Sequence, residues 1–242
     1  MQKFNCPSCG AEIIFQSSIS VSCVCPYCRS LLVRHDKDME SIGKMAELPD
    51  DISPFQIGTT GKYKNIPFTL VGRMKIGWSD GCWNEWCMFT DDGRRGWLAE
   101  AQGSIAISFE VEIPSGELMA IYGVNDTVTT LSTVPPLGTA LLIQKKEYTI
   151  NDIKAARCIG SEGELPFPAP QGRMSNVIDL EGMNGEFASI EFDAFDQPHL
   201  FIGEYVEFDM LHFNNLRDLP GWHMNRPPLE PHPQHKKAPD GW

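Results

Sequence analysis

Four cysteines in two matching frames constrain this chain more than any other feature. Cys6-Pro7-Ser8-Cys9 and Cys25-Pro26-Tyr27-Cys28 are both C-P-x-C units. Their combined spacing, C-x2-C-x15-C-x2-C, reads as a zinc site. A C-x-x-C turn brings two sulfurs onto one ion, and proline presets the backbone of that turn. Zn²⁺ takes four thiolates tetrahedrally at about 2.3 Å, and a full shell leaves no open position for substrate. Cys6, Cys9, Cys25 and Cys28 are therefore expected to hold one structural zinc and to catalyse nothing there. Between the knuckles, 11–15 and 18–22 read as short strands, making residues 1–37 a zinc ribbon. A module this small cannot bury a sufficient core alone. Structural zinc, at about 10–16 kcal/mol of apparent binding energy, can fix it. Cys23 lies outside both units and reads as a free strand-end thiol, or else as a replacement ligand or redox sensor.

Charge narrows the partners. The whole chain carries −12. Residues 1–37 have Lys3, Arg29, Arg34 and Lys37 against Glu12 and Asp36, a balance of +2, so the rest carries −14. A broad nucleic-acid footprint is not expected from such a chain. No apolar run reaches the ~20 residues of a spanning helix. MQKFNCPSCG offers no signal-peptide core. The expectation is a cytoplasmic protein, with membrane association only through a partner.

Downstream the pattern is β. Residues 38–54 read as a linker with one helical turn around Glu40–Leu48. Phe68, Leu70, Met74 and Ile76 alternate with Thr69, Val71, Arg73 and Lys75, as on a strand with one dry and one wet face. Trp83–Thr90, Gly96–Ala99 and Ile105–Val111 follow as strands, with Asp91-Asp92-Gly93 as a hairpin signal. Glu186–Phe192 and Leu200–Phe208 are two more, and Leu211–Leu219 reads as a short helix. The Pro-rich tail, 220–242, is expected to be disordered. An internal repeat is also visible. Gly58-Thr59 and Phe68-Thr69-Leu70 recur 80 positions later as Gly138-Thr139 and Tyr148-Thr149-Ile150. At the same offset Trp97-Leu98 falls opposite Val177-Ile178, and Ile105–Phe109 lies near 187–192. The fold class expected is mainly β with little helix: a zinc ribbon, then two similar antiparallel modules at 55–122 and 135–210.

These residues carry a resemblance. The four-cysteine ribbon, the Gly-Thr…Phe-Thr-Leu frame, Trp83-Asn84-Glu85-Trp86 and Trp97-Leu98 resemble a bacterial family known as domain of unknown function 4178. So do Glu162-Gly163-Glu164-Leu165-Pro166, Val177-Ile178-Asp179-Leu180 and Phe187-Ala188 in the second half. The resemblance covers about 55–210 and implies two copies behind a ribbon. It implies a gene context of polyamine synthesis and membrane-associated stress, and it supplies no activity and no catalytic residues.

The remaining candidates are weaker signals. Trp83 and Trp86, three apart on one strand, should face opposite sides, so they are either core residues or a partner-binding face. Asp179–Asp209 holds nine acids, and no Lys or Arg lies between Arg173 and Arg217. Glu191 and Asp193 would then point outward together, opposite Ala188, Ile190 and Phe192. That is either a solvated face or an attraction for a cationic partner. G-x-S-x-G, Walker A and G-x-G-x-x-G motifs are absent. His199 and His212 are isolated. Glu85 could be a general acid, but nothing in the sequence singles it out. The reading is a non-enzymatic zinc-binding adaptor for a protein partner. The alternatives are an enzyme or binding protein for a small cationic metabolite, and a nucleic-acid-binding ribbon protein.

Overall fold

The computed structural model describes residues 2–17, 19–35, 38–48, 51–113, 135–192 and 197–219. Asp193 and the tail 220–242 lie outside the described residues. The architecture is mainly β. The N-terminal ribbon holds β1 (Gln2–Asn5), β2 (Glu12–Phe15), β3 (Ser22–Val24), β4 (Ser30–Arg34) and β5 (Met39–Lys44). A first group of five follows: β6 (Thr60–Tyr63), β7 (Ile66–Trp78), β8 (Gly81–Thr90), β9 (Arg95–Ala101) and β10 (Ser104–Val111). A second group comprises β11 (Ala140–Ile143), β12 (Lys146–Leu165), β13 (Met174–Glu181), β14 (Glu186–Phe192) and β15 (Pro198–Val206).

The ribbon is two hairpins, β1–β2 and β3–β4, each carrying one knuckle. The second strand comes later than expected, because β3 begins at Ser22. There it pairs with the end of β12, Cys23 opposite Glu164 and Ser22 opposite Leu165. Glu164 secures the joint, accepting the Gln16 and Ser17 amides at 2.6 and 3.1 Å. The stretch expected to form a helical turn is instead β5, which pairs with β4. At the other end, the expected Leu211–Leu219 helix is a single 3-10 turn, Phe208–Leu211.

The two groups of five close on each other. β7, β8, β9 and β10 pair in sequence, β10 pairs with β15, and β15 runs back through β14 and β13 to β12. β12 then pairs with β7, completing an eight-stranded antiparallel ring. Close backbone approach at both seams falls on glycine. A Cβ on Gly72 would meet the Glu164 carbonyl oxygen at 2.0 Å, and one on Gly203 the Ile107 oxygen at 2.4 Å.

The halves share strand order and detail. Gly58 N–H donates to Leu70 O and Leu70 N–H to Thr59 O, both at 2.8 Å. Gly138 N–H donates to Ile150 O at 2.8 Å and Ile150 N–H to Thr139 O at 2.9 Å. Gly58 and Gly138 are both left-handed, at φ 87 and 85, a region that glycine enters without strain. The register shifts at Leu70/Gly72 in one half and at Ile150/Asp152 in the other. Phe68 and Tyr148 are both buried, at 1% exposure each.

Those shifts matter for the core. A bulge reverses the side-chain alternation. Phe68 and Leu70 therefore enter an outer core with Trp86, Met88, Leu98 and Ile107, while Val71, Met74 and Ile76 turn to the other side. The four residues expected on one face are split between two. The second half has its own outer core of Tyr148, Ile150, Ile178, Leu180, Ala188 and Ile190. The face expected to be wet is split as well: Val71 turns into the interior of the ring, whereas Arg73 and Lys75 lie on the outer side, where both meet Asp51. In the interior, Val71, Cys87, Trp97, Cys158, Val177 and Phe201 form a third apolar cluster.

Candidate functional site

The four ribbon cysteines converge. Their sulfurs all lie within 4.8 Å of one another. Cys6 Sγ is 3.7 Å from Cys28 Sγ, and Cys9 Sγ is 3.8 Å from Cys25 Sγ. A tetrahedron with 2.3 Å bonds has edges of about 3.8 Å, so the four thiols fit one ion. The two knuckles are built alike. Gly10 N–H donates to Cys6 O at 2.8 Å, and Arg29 N–H to Cys25 O at 2.9 Å. Arg29 is left-handed at φ 61, where the first knuckle has Gly10 at φ 76. The Arg29 side chain also reaches the Ala46 carbonyl at 2.8 Å and tethers the segment after β5. Cys23 stands apart between ribbon and ring. Burial and the Glu164 charge push its thiol up to about 12, so it stays protonated, and buried structural thiols of this kind are inert.

A second constellation lies inside the ring. Register places Met74, Glu85 and Ala99 in one cross-strand row, and Lys154, Val177, Glu191 and His199 in another. Met74 and Val177 belong to the interior cluster, so Glu85, Lys154 and Glu191 face inward with them. β8 and β14 are four strands apart in a ring of eight, so Glu85 and Glu191 approach from opposite walls. Asp179, opposite Asp152 and Ser189, shares the Val177 side.

The interior charges are unevenly met. Lys154 Nζ lies 2.7 Å from Asp179 and 2.7 Å from Asp152. It also sits over Trp78 and Trp83, at 5.7 and 5.5 Å from the ring centres. Glu110 is paired with Arg95 at 2.9 Å and His199 at 2.7 Å. Glu85 accepts one hydrogen bond, from Trp83 Nε1 at 2.6 Å. Burial, with the Glu191 charge behind it, pushes its carboxyl up to about 8. Burial raises Glu191 as well, against the pull of Arg173. Among the described residues, Glu191 makes no hydrogen bond or ion pair. Two inward, half-buried carboxylates, together accepting one hydrogen bond, thus stand beside two indole rings.

The remaining sequence candidates fall as follows. Trp83 and Trp86 do face opposite sides. Trp86 is wholly buried in the outer core, its N–H donating to Glu100 at 3.3 Å, so it offers no contact surface. Trp83 is partly buried on the interior side. Glu191 is opposite Ala188, Ile190 and Phe192 as expected, but closure of the ring turns it inward. The acid-rich segment also has basic partners after all. Lys154 meets Asp179, Lys146 meets Glu186 at 2.5 Å, and Lys64 meets Glu204 at 3.0 Å. Sheet pairing delivers these lysines from outside the segment. Glu85 was visible in the sequence without a distinguishing mark, Trp78 only as a member of the tryptophan cluster with Trp83, Trp86 and Trp97, and Lys154 was missed. Its one signal was the run Asp152, Lys154, Ala156, Cys158, which shares a face once the bulge is placed.

A four-thiol metal-site ribbon fixed to a closed antiparallel β ring defines the class of protein. The chain belongs to the family described as a domain of unknown function, DUF4178, whose model matches residues 56–208. The match is a single one that spans both halves of the ring. No curated protein and no solved structure matches the chain. Among the described residues, no helix is long and apolar enough to cross a membrane.

Proposed function

We propose that this protein binds a small organic cation inside the ring, and that the ribbon holds a structural zinc ion. The observation that carries the reading is the pair Glu85 and Glu191, inward on opposite walls with too little positive charge between them. Closed barrels of eight strands have interiors large enough for packed side chains or one small ligand. Carboxylates and indole faces together suit an aliphatic ammonium. The adaptor reading loses support, because Trp86 and Glu191, two of its carriers, are not on the outer surface. Nucleic-acid binding by the ribbon gains none: Lys3 pairs with Glu12 at 3.1 Å, Arg29 with the Ala46 carbonyl, and Arg34 stacks on Phe15. Tryptophan fluorescence titration with 1,4-diaminobutane is the test. Saturable binding that weakens at least tenfold in Glu85→Gln/Glu191→Gln supports the reading, and a linear response overturns it.

We also propose that the two halves are copies of one five-stranded unit. The pairings allow a consistent equivalence, with an offset of 80 through β7 and β12 and of 92 through β8 and β13. Leu70 opposite Met88 then matches Ile150 opposite Leu180, and Met74 opposite Glu85 matches Lys154 opposite Val177. At the seam, Gly77 pairs with its own equivalent, Arg157. The longer offset places Trp97-Leu98 against Ser189-Ile190, and not Val177-Ile178. Twelve extra residues of β12 and the segment after it hide this from a fixed-offset comparison. In this alignment the framework matches while the lining differs: Glu85 answers Val177, Asp179 answers Cys87, Glu191 answers Ala99 and Lys154 answers Met74.

A further inference from the structure

We propose that Lys154 is a built-in occupant of the cation site, a tethered ammonium that an incoming organic cation must displace. The inference rests on the cation-binding reading above and adds the device that sets its selectivity. The geometry around the lysine is that of a bound ligand. Its Nζ lies over two indole rings whose centres are 5.0 Å apart and tilted at 59°. Both ring distances, 5.5 and 5.7 Å, are within the reach of a cation–π contact. Asp179 and Asp152 each receive the ammonium at 2.7 Å, and Asp179 is itself oriented by the Ser189 hydroxyl at 2.8 Å. This is a cage with carboxylate walls, already holding a primary ammonium.

Two observations separate an occupant from a plain core ion pair. On the proposed equivalence of the halves Met74 stands where Lys154 does, so the framework of the other half closes without a cation there. The lysine also neutralises only part of the interior, because Glu85 and Glu191 remain beyond its two pairings. An external cation with one ammonium in the cage and another between Glu85 and Glu191 would meet both needs. Lys154 would then move to the edge of the site, where Asp152 is half exposed. A monocation gains only the exchange of one ammonium for another, so the tether selects for ligands with two positive groups.

Chemical replacement of the side chain tests this. Lys154→Ala removes the fragment that n-propylammonium restores. The expected result is that n-propylammonium binds Lys154→Ala at least tenfold more tightly than it binds the wild type, read by thermal shift and tryptophan fluorescence. Equal affinity for both proteins overturns the proposal. If Lys154→Ala does not fold alone, n-propylammonium must restore folding where the same concentration of sodium does not, and failure to do so also overturns it. In the wild type, saturation with 1,4-diaminobutane should move the Lys154 ammonium resonance toward the position of a solvent-exposed lysine. A lysine resonance unmoved at saturation contradicts displacement. Absence of diamine binding to the wild type, with n-propylammonium still selective for Lys154→Ala, would instead fail the ligand reading and leave the occupied cage standing.

Discussion

The ribbon and the ring interior both crowd groups that repel once ionised, but they hold them in different ways. In the ribbon, four sulfurs are gathered by two short turns, each closed by its own backbone hydrogen bonds within five residues. Four thiols could hold one ion and would complete its shell, the arrangement of a structural site. In the interior, carboxylates arrive on strands that meet only after the whole sheet has closed. Their neutralisation is partial and is shared with Lys154, Arg173 and indole rings. A complete shell fixes a fold, whereas an incomplete one leaves a free energy that a ligand can collect. The joint between them, at Glu164 and Cys23, couples the two regions mechanically without sharing ligands.

The sharpest way to break this contrast is to remove the metal. Cys25→Ser with Cys28→Ser should abolish binding of about one equivalent of zinc, read by metal analysis. With it should go stabilisation of the order of 10 kcal/mol in the ribbon. If the regions are as distinct as proposed, tryptophan fluorescence of the ring should persist while the ribbon amides lose exchange protection. The two tryptophans sharpen it next. Trp86→Ala should cost about 3–5 kcal/mol of stability because it empties a closed core. Trp83→Ala should cost less in urea melts, yet weaken cation binding more.

Glu85 predicts a pH dependence with a definite sign. Burial pushes its carboxyl up to about 8 in the folded protein, above the ordinary value of 4.5. Between those values the folded state holds a proton that the unfolded state has lost, so this group makes stability fall as pH rises. The slope is at most about 1.4 kcal/mol per pH unit. Glu85→Gln should flatten the dependence over that window and raise stability near pH 8 by about 1–3 kcal/mol. A smaller effect tests the relation between the halves. Tyr148 carries a buried hydroxyl without a hydrogen-bond partner, and the proposed equivalence of the halves sets it against Phe68. Tyr148→Phe should leave stability unchanged or raise it by about 1 kcal/mol in thermal melts. A loss of that size would mean that the hydroxyl has a role the repeat does not provide.

The contrast also explains what was legible in the sequence. Cys6, Cys9, Cys25 and Cys28 needed only local spacing, because each knuckle is made within a few residues. Most strands were legible too, since Ile105–Val111 and Glu186–Phe192 alternate in the plain way. The interior was not, because bulges at Val71 and Asn151 reverse the alternation, and ring closure converts an outward face into an inward one. Glu191 shows this best. Its side of the strand followed from Ala188, Ile190 and Phe192, but which side meets water depended on β7 pairing with β12. Met39–Lys44 failed for another reason: it is an edge strand with little burial, and its only template is β4.

The central claim is that Glu85 and Glu191 form an unmet demand for positive charge inside the ring. Calorimetric titration with 1,4-diaminobutane at pH 7.5, repeated in buffers of different ionisation enthalpy, tests it most directly. Near that pH Glu85 is largely protonated, and a cation beside it should lower its pKa and expel the proton. The account predicts one-to-one binding with release of about half a proton or more, abolished in Glu85→Gln. Binding whose enthalpy is the same in every buffer, or no saturable binding at all, would contradict it.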